Sequence, residues 1–170
     1  AIGSQDSANR LSNLARSFAS QQPRPCDVAV IALSGARNFG DAIRQAMTSE
    51  RFGSDHKWLW LLHADSCPET DALGELLTAA KKTASVALVG PKQVEWEDPN
   101  RVLEVGIEAT ASAKRLSLPW QSEIDQGQYD GREDVLAVGT AGALIRQTVW
   151  TQTRGLDPYL GPFGDGLEYG

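Results

Sequence analysis

The sequence predicts an α/β fold with a mainly parallel sheet and added antiparallel strands, and three observations carry that prediction. Helical and strand patterns alternate through residues 1–90. The strand-like runs Val28–Leu33, Trp58–Leu62 and Val86–Val89 are apolar without alternation, as strands covered on both faces are. After Pro91 the pattern changes, and Leu103, Val105, Ile107 and Ala109 alternate with Glu104, Glu108 and Thr110. One wet face of that kind suits antiparallel pairing. Helix–strand alternation with two-face-buried strands argues for a doubly wound sheet.

Each element has its own signal. Leu11, Leu14, Ala15 and Phe18 recur at helical spacing, with Asp6 or Ser7 placed to cap, and Gln21-Gln22-Pro23-Arg24-Pro25 breaks the helix. Asn38 is placed to cap a second helix whose stripe is Phe39, Ile43, Ala46 and Met47, with Asp41 near its positive end. A third helix follows Pro68, with Glu69 and Asp71 in its first turn and Lys81 and Lys82 in its last. Its core face is Ala72, Leu73, Leu76, Leu77 and Ala80. Residues 111–133 are polar, contain Pro119, Gly127 and Gly131, and read as an excursion or flexible loop. Val135–Val138 and Ala143–Ile145 then flank Gly139-Thr140-Ala141-Gly142, and a short helix runs to a stop at Gly155. Because the chain opens on a helix, at least one strand is expected before Ala1, and the chain reads as a piece of a longer protein.

Composition bounds the function. The 170 residues suit a single domain, and 41% apolar with 22% charged residues is a globular balance. Apolar runs such as Trp58–Leu62 fall far short of the roughly 20 residues a membrane helix needs. With 16 Lys+Arg against 22 Asp+Glu the net charge is −6, which disfavours nucleic acid and allows a cationic or metal-complexed ligand. Cys26 and Cys67 form no CxxC pair and read as small hydrophobes.

Ligands of open α/β sheets bind beyond the carboxyl ends of the strands. Trp58–Leu62 runs directly into His63-Ala64-Asp65-Ser66, and in extended geometry residues i and i+2 face the same way. An imidazole and a carboxylate so placed suit Mn²⁺ or Mg²⁺ bridged to a diphosphate. The alternative is that Asp65 caps the next helix and His63 is a buried strand end. Gly161–Glu168 carries Asp165 and Glu168 three residues apart, either of them able to act as a general base, or both as dipole-complementing acids of a helical first turn. Gly139-Thr140-Ala141-Gly142 is a tight hairpin or a floor against which a ligand lies. Ser34–Gly40 can meet a nucleotide through backbone amides and Asn38, although it has neither P-loop nor GxGxxG spacing. Glu95-Trp96-Glu97-Asp98 reads as a surface turn, with a sugar-stacking platform as the alternative.

Taken together, these stretches resemble a family-two glycosyltransferase of the GT-A fold, most like those of actinobacteria. Gly3-Ser4-Gln5-Asp6-Ser7 resembles the family's D-x-G-S-x-D-x-S turn, and Asn38-Phe39-Gly40-Asp41-Ala42 its N-x-G-x-A loop. Trp60–Pro68 resembles the strand leading into the DxD motif, and the stretch from Gly139 to Glu168 resembles the acceptor-side segment G-x-x-x-L-I-R-R-x-V-W-x-x-x-G-G-F-D-P. The resemblance implies a GT-A, Rossmann-like sandwich lacking its first strand or strands, as one partial catalytic domain over residues 1–170. Residues 1–90 would form its nucleotide-sugar part and residues 91–170 its acceptor part.

It further implies transfer of a sugar from a nucleotide-diphosphate-sugar to an acceptor hydroxyl of a glycan or lipid-linked molecule, with inversion, in cell-envelope synthesis. The expected place is the cytosolic face of the membrane, with any anchor outside these residues. The expected cofactor is a divalent metal, Mn²⁺ or Mg²⁺, at Asp65 with His63. Asn38, Gly40 and Asp65 would meet the donor, and Gly139 and Thr140 would shape the acceptor side. Asp165 would be the base, with Glu168 in reserve. Besides the missing opening strand, which leaves Ala1 where an aspartate is often found, the chain departs from the pattern in two places: His63 stands where the first DxD aspartate usually is, and Gly166 where the second acid of the later pair usually is. Those departures favour the competing reading of a non-catalytic sugar-nucleotide-binding or scaffold domain. A nucleotidyltransferase is the other alternative. The reading as a whole expects His63, Asp65 and Asp165 to converge on one cleft.

Overall fold

The computed structural model describes residues 4–31, 36–48, 56–112, 114–117, 119, 123–157 and 159. In chain order the elements are α1 (Ser4–Ser20), α2 (Phe39–Met47), β1 (Trp58–Trp60), α3 (Ala72–Ala80), β2 (Leu88–Val89), β3 (Gln93–Val94), β4 (Val102–Glu104), β5 (Ile107–Ala109), β6 (Arg115–Ser117), β7 (Leu144–Arg146) and α4 (Gln147–Thr153).

The central sheet has the order β1-β7-β2, and β7 pairs antiparallel with both neighbours. β1 and β2 therefore run the same way, but no two described strands pair in parallel. Among the described residues the sheet places an antiparallel strand between two that share a direction. Apolar runs report burial on both faces, and burial does not encode the direction of a neighbour.

The layering does follow the expectation. Leu59, Ile145 and Leu88 lie in register across the three strands. They pack with Ile43, Leu61, Val138, Trp150 and Leu156, so α2 and α4 cover that face. Trp60, Leu144 and Val89 are in register one position away and meet Leu73, Leu76 and Ala80 of α3. The two-residue period of a strand thus sends alternate side chains into two separate cores. Arg146 closes the end of the sheet, donating to the Val86 carbonyl from Nη2 at 2.7 Å and lying over the Trp58 ring at 4.5 Å.

α1 differs from its predicted face. Leu14 and Ser17 are buried, while Leu11 and Ala15 are exposed, and Asp6 and Ser7 lie within the helix instead of capping it. Phe18 packs edge-on to Trp60, which places α1 against the same side of the sheet as α3. Gln21, a helix breaker by sequence, is a fully buried polar clasp. Its Oε1 accepts from Leu73 N at 3.1 Å, and its Nε2 donates to the Glu69 carbonyl at 2.7 Å and the Ser17 carbonyl at 3.3 Å. Asp71, the N-cap of α3, makes no side-chain cap bond, so Gln21 satisfies an amide that the helix's own cap leaves open. Replacing Gln21 with leucine strands those groups in the interior and is expected to cost about 2–3 kcal/mol. In a thermal melt that corresponds to a fall of roughly 5–10 °C.

Further expectations change. Val28–Ile31 lies in no described strand, and Val28, Val30 and Ile31 are exposed instead of covered on both faces. The segment before it is tied to the entry of β1 by a contact of His56 Nε2 with Asp27 Oδ2 at 2.7 Å. The single strand expected over 103–109 is broken into β4 and β5 by Gly106, whose φ of 74° is one that side-chain-bearing residues rarely adopt. The break reverses the alternation, so Val102 and Ile107 are buried while Leu103 is exposed.

The excursion at 111–133 contains β6, which pairs with β5, and an anchored turn. There Lys92 Nζ bridges Asp125 and Asp130, each at 2.7 Å, and Tyr129 donates to Glu123 at 2.8 Å. These bonds raise the Lys92 pKa, through Asp125 first and Asp130 next, and lower that of Asp125. Trp96 is exposed at a bend, as the surface-turn reading expects. Cys26 and Cys67 are free and exposed, so neither serves as a core hydrophobe. No helix among the described residues is long and apolar enough to cross a membrane.

Candidate functional site

The exit of β1 is fastened to the loop before β7. Beyond the strand pairing, Leu61 N donates to the Ala143 carbonyl and Gly142 N to the Leu61 carbonyl, each at 2.8 Å. Trp60 Nε1 adds a bond to the Gly142 carbonyl at 3.1 Å. Gly142 has φ 96°, and a Cβ there would stand 2.6 Å from Pro91 Cγ. These constraints set Gly139–Gly142 directly beside the residues that leave β1.

His63 is half-buried, and its Nε2 lies 3.2 Å from Thr140 Oγ1. Its ring packs on Phe39 at the start of α2, with centroids 4.3 Å apart. One imidazole therefore joins the exit of β1, the beginning of α2 and the loop before β7. The extended geometry expected for 63–65 is corrected: Ser66 N donates to the His63 carbonyl at 3.0 Å, and the chain turns over Ala64 and Asp65. His63 consequently faces Thr140 and Phe39, and Asp65 stands exposed on the turn.

Asn38 is the N-cap of α2, its Oδ1 accepting from Asp41 N at 2.9 Å, while Asp41 Oδ2 accepts from Arg37 N at 3.0 Å. Gly40 is buried, and a Cβ on it would meet Leu156 Cβ at 2.7 Å. Its glycine identity answers to that close approach, which Arg44 fixes by donating to the Leu156 carbonyl at 2.6 Å. Asp165 and Glu168 lie outside the described residues, as do Ser34 and Gly35. The structure thus brings together His63, Thr140, Gly139 and the Asn38–Gly40 turn, with Asp65 at the rim.

Two contributors have no local sequence signal. Phe39 reads as a stripe residue, yet it supports the His63 ring. Glu104 reads as one polar position of an alternating strand, yet its Oε1 accepts from Gly139 N at 3.0 Å. Only the three-dimensional pairing reveals either role.

The strand exit offers one carboxylate and one imidazole already turned to Thr140. Among the described residues no group of three or more His, Cys, Asp or Glu is placed to hold a metal ion. A divalent ion that arrives on a diphosphate needs only one or two protein carboxylates, a requirement that Asp65 alone would meet. A separate depression lined by Ser20, Gln21, Arg24, Thr70 and Asp71 shares none of these residues.

Searches of curated proteins and of solved structures gave no significant match. The family model described as glycosyltransferase like family 2 matches residues 6–170, a span that includes the exit of β1, the Gly139–Gly142 loop and the segment with Asp165. A match over nearly the whole chain places this protein in glycosyltransferase family 2, whose members have the GT-A fold.

Proposed function

We propose that this protein transfers a sugar from a nucleotide-diphosphate-sugar to an acceptor hydroxyl with inversion, in cell-envelope polysaccharide or glycoconjugate synthesis at the cytosolic face of the membrane. In this reading residues 1–90 receive the donor and residues 91–170 the acceptor. The observation that carries it is the contact of His63 Nε2 with Thr140 Oγ1, because it joins the donor-side strand exit to the acceptor-side loop. Family membership supports the reaction class.

Inversion in one step requires a base on the acceptor side and relief of charge on the leaving diphosphate. Asp165 takes the acceptor proton, with Glu168 in reserve, as the hydroxyl oxygen forms its bond to C1 of the sugar. The bond from C1 to the diphosphate oxygen breaks, and that oxygen leaves with the electron pair. Asp65 is the residue that would hold a divalent ion, Mn²⁺ or Mg²⁺, which when bound supplies positive charge to the diphosphate. Family members commonly use such an ion. Asn38 orients the first turn of α2 toward the donor, and Gly139 and Thr140 shape the acceptor side, where Thr140 meets His63.

Incubating the protein with sugar nucleotides and a lipid or glycan acceptor extract, and measuring nucleoside diphosphate release, tests the reading. Release that requires a sugar donor and is lost in Asp165→Ala supports it. Pyrophosphate release from a nucleoside triphosphate would identify a nucleotidyltransferase instead. Donor binding without turnover would favour the sugar-nucleotide-binding domain, a reading supported by the histidine at position 63 and the single carboxylate of the turn.

A further inference from the structure

Glu104 lies at the end of β4 with its side chain 13% exposed, and three groups close around it. Oε1 accepts from Gly139 N at 3.0 Å and from Gln93 Nε2 at 3.4 Å, while Oε2 accepts from Arg115 Nη2 at 2.6 Å. Gln93 Nε2 also donates to the Ala141 carbonyl at 3.0 Å. β3, β4 and β6 thus each send one polar side chain toward the loop that carries Thr140. A Cβ at Gly139 would sit 2.3 Å from Glu104 Oε1, so the carboxylate rests directly on the backbone.

A carboxylate this enclosed is costly unless it is paired and hydrogen-bonded. Filling the space alone would be done as well by an apolar side chain. What an apolar side chain lacks is a charge-assisted bond to the Gly139 amide, roughly twice as strong as a neutral one. That bond fixes the Val138–Gly139 peptide plane, one residue ahead of Thr140, whose hydroxyl meets His63.

We propose that Glu104 is a positioning residue that acts through the Gly139 amide to set where Thr140 holds His63 at the exit of β1. The effect on sugar transfer rests on the function proposed above, whereas the effect on His63 does not.

The chain has two histidines, so the imidazole nitrogens of His63 can be followed by NMR with His56 as an internal control. In Glu104→Ala the His63 nitrogen signals are expected to move in the same direction as in Thr140→Val, and those of His56 to stay. The double variant is expected to show no further movement, because both changes act on one contact. Where Glu104→Ala does not fold, Glu104→Asp keeps the charge for Arg115, withdraws the oxygen from Gly139, and gives the same reading. Folded variants with unmoved His63 signals would overturn the proposal. In the transfer assay each single variant is expected to lose roughly tenfold in kcat/KM and the double variant no more than that. Additive losses would also overturn it. Should the wild-type protein transfer no sugar, the NMR result still decides the role of Glu104 and only the proposed reaction falls.

Discussion

Asp65→Ala is expected to lower sugar transfer by roughly 10²–10³-fold, the usual loss when one charge-stabilising group is removed from a transition state. Its melting temperature should stay within about 2 °C of the wild type, since exposed substitutions away from buried networks have small effects on stability. The separation of the two readouts follows from placement. Asp65 stands exposed on the turn that begins at the His63 carbonyl, and neither core includes it. Steady-state kinetics with a sugar nucleotide, beside a thermal melt of the same preparation, checks both halves. A variant that melts like the wild type and turns over at the wild-type rate would remove Asp65 from the reaction.

Gly142→Ala is expected to have the opposite profile, with stability falling first. At φ 96° any side chain is strained, and here the new methyl would also press on Pro91 Cγ from 2.6 Å. Backbone strain of about 1–3 kcal/mol and overpacking of similar size together predict a loss of about 2–6 kcal/mol. The bonds at risk are those that fasten the loop to β1, namely Gly142 N to the Leu61 carbonyl and Trp60 Nε1 to the Gly142 carbonyl. Chemical denaturation with Trp fluorescence measures the loss directly. An unchanged midpoint would mean that the loop has another conformation of equal energy.

The helices α2, α3 and α4 were legible because their signals are local. Asn38 caps three residues ahead, the stripes of α2 and α3 repeat within a few turns, and the stop at Gly155 is a left-handed residue closing on the Trp150 carbonyl. The antiparallel pairing expected after Pro91 is what β4 and β5 show, but the strand directions of the central sheet were not legible. Leu144 and Ile145 are apolar whichever way the neighbouring strand runs, and only the pairing of β7 with β1 and β2 decides it. Gly106 was visible as a glycine, but not as the place where the alternation reverses.

The candidate site divides in the same way. His63 and Asp65 were found by a rule about strand ends, and Thr140 by the glycines around it. The contact between His63 and Thr140 spans 77 residues of sequence, and that between Glu104 and Gly139 spans 35. No local pattern encodes partners so distant, and an alternating strand conceals a buried glutamate among its wet positions. Extended geometry at 63–65 failed for a related reason: once the strand ends, a turn bond from Ser66 N to the His63 carbonyl outweighs the strand period.

The central claim is that the donor diphosphate and its cation meet the protein where β1 ends. Paramagnetic broadening by Mn²⁺ bound to a nucleoside diphosphate tests it without needing the acceptor. The amide signals of Asn38–Gly40, His63–Ser66 and Gly139–Ala141 are expected to broaden, while those of Ser20, Gln21 and Thr70 in the separate depression stay sharp. Broadening centred on that depression, with the exit of β1 untouched, would contradict the claim.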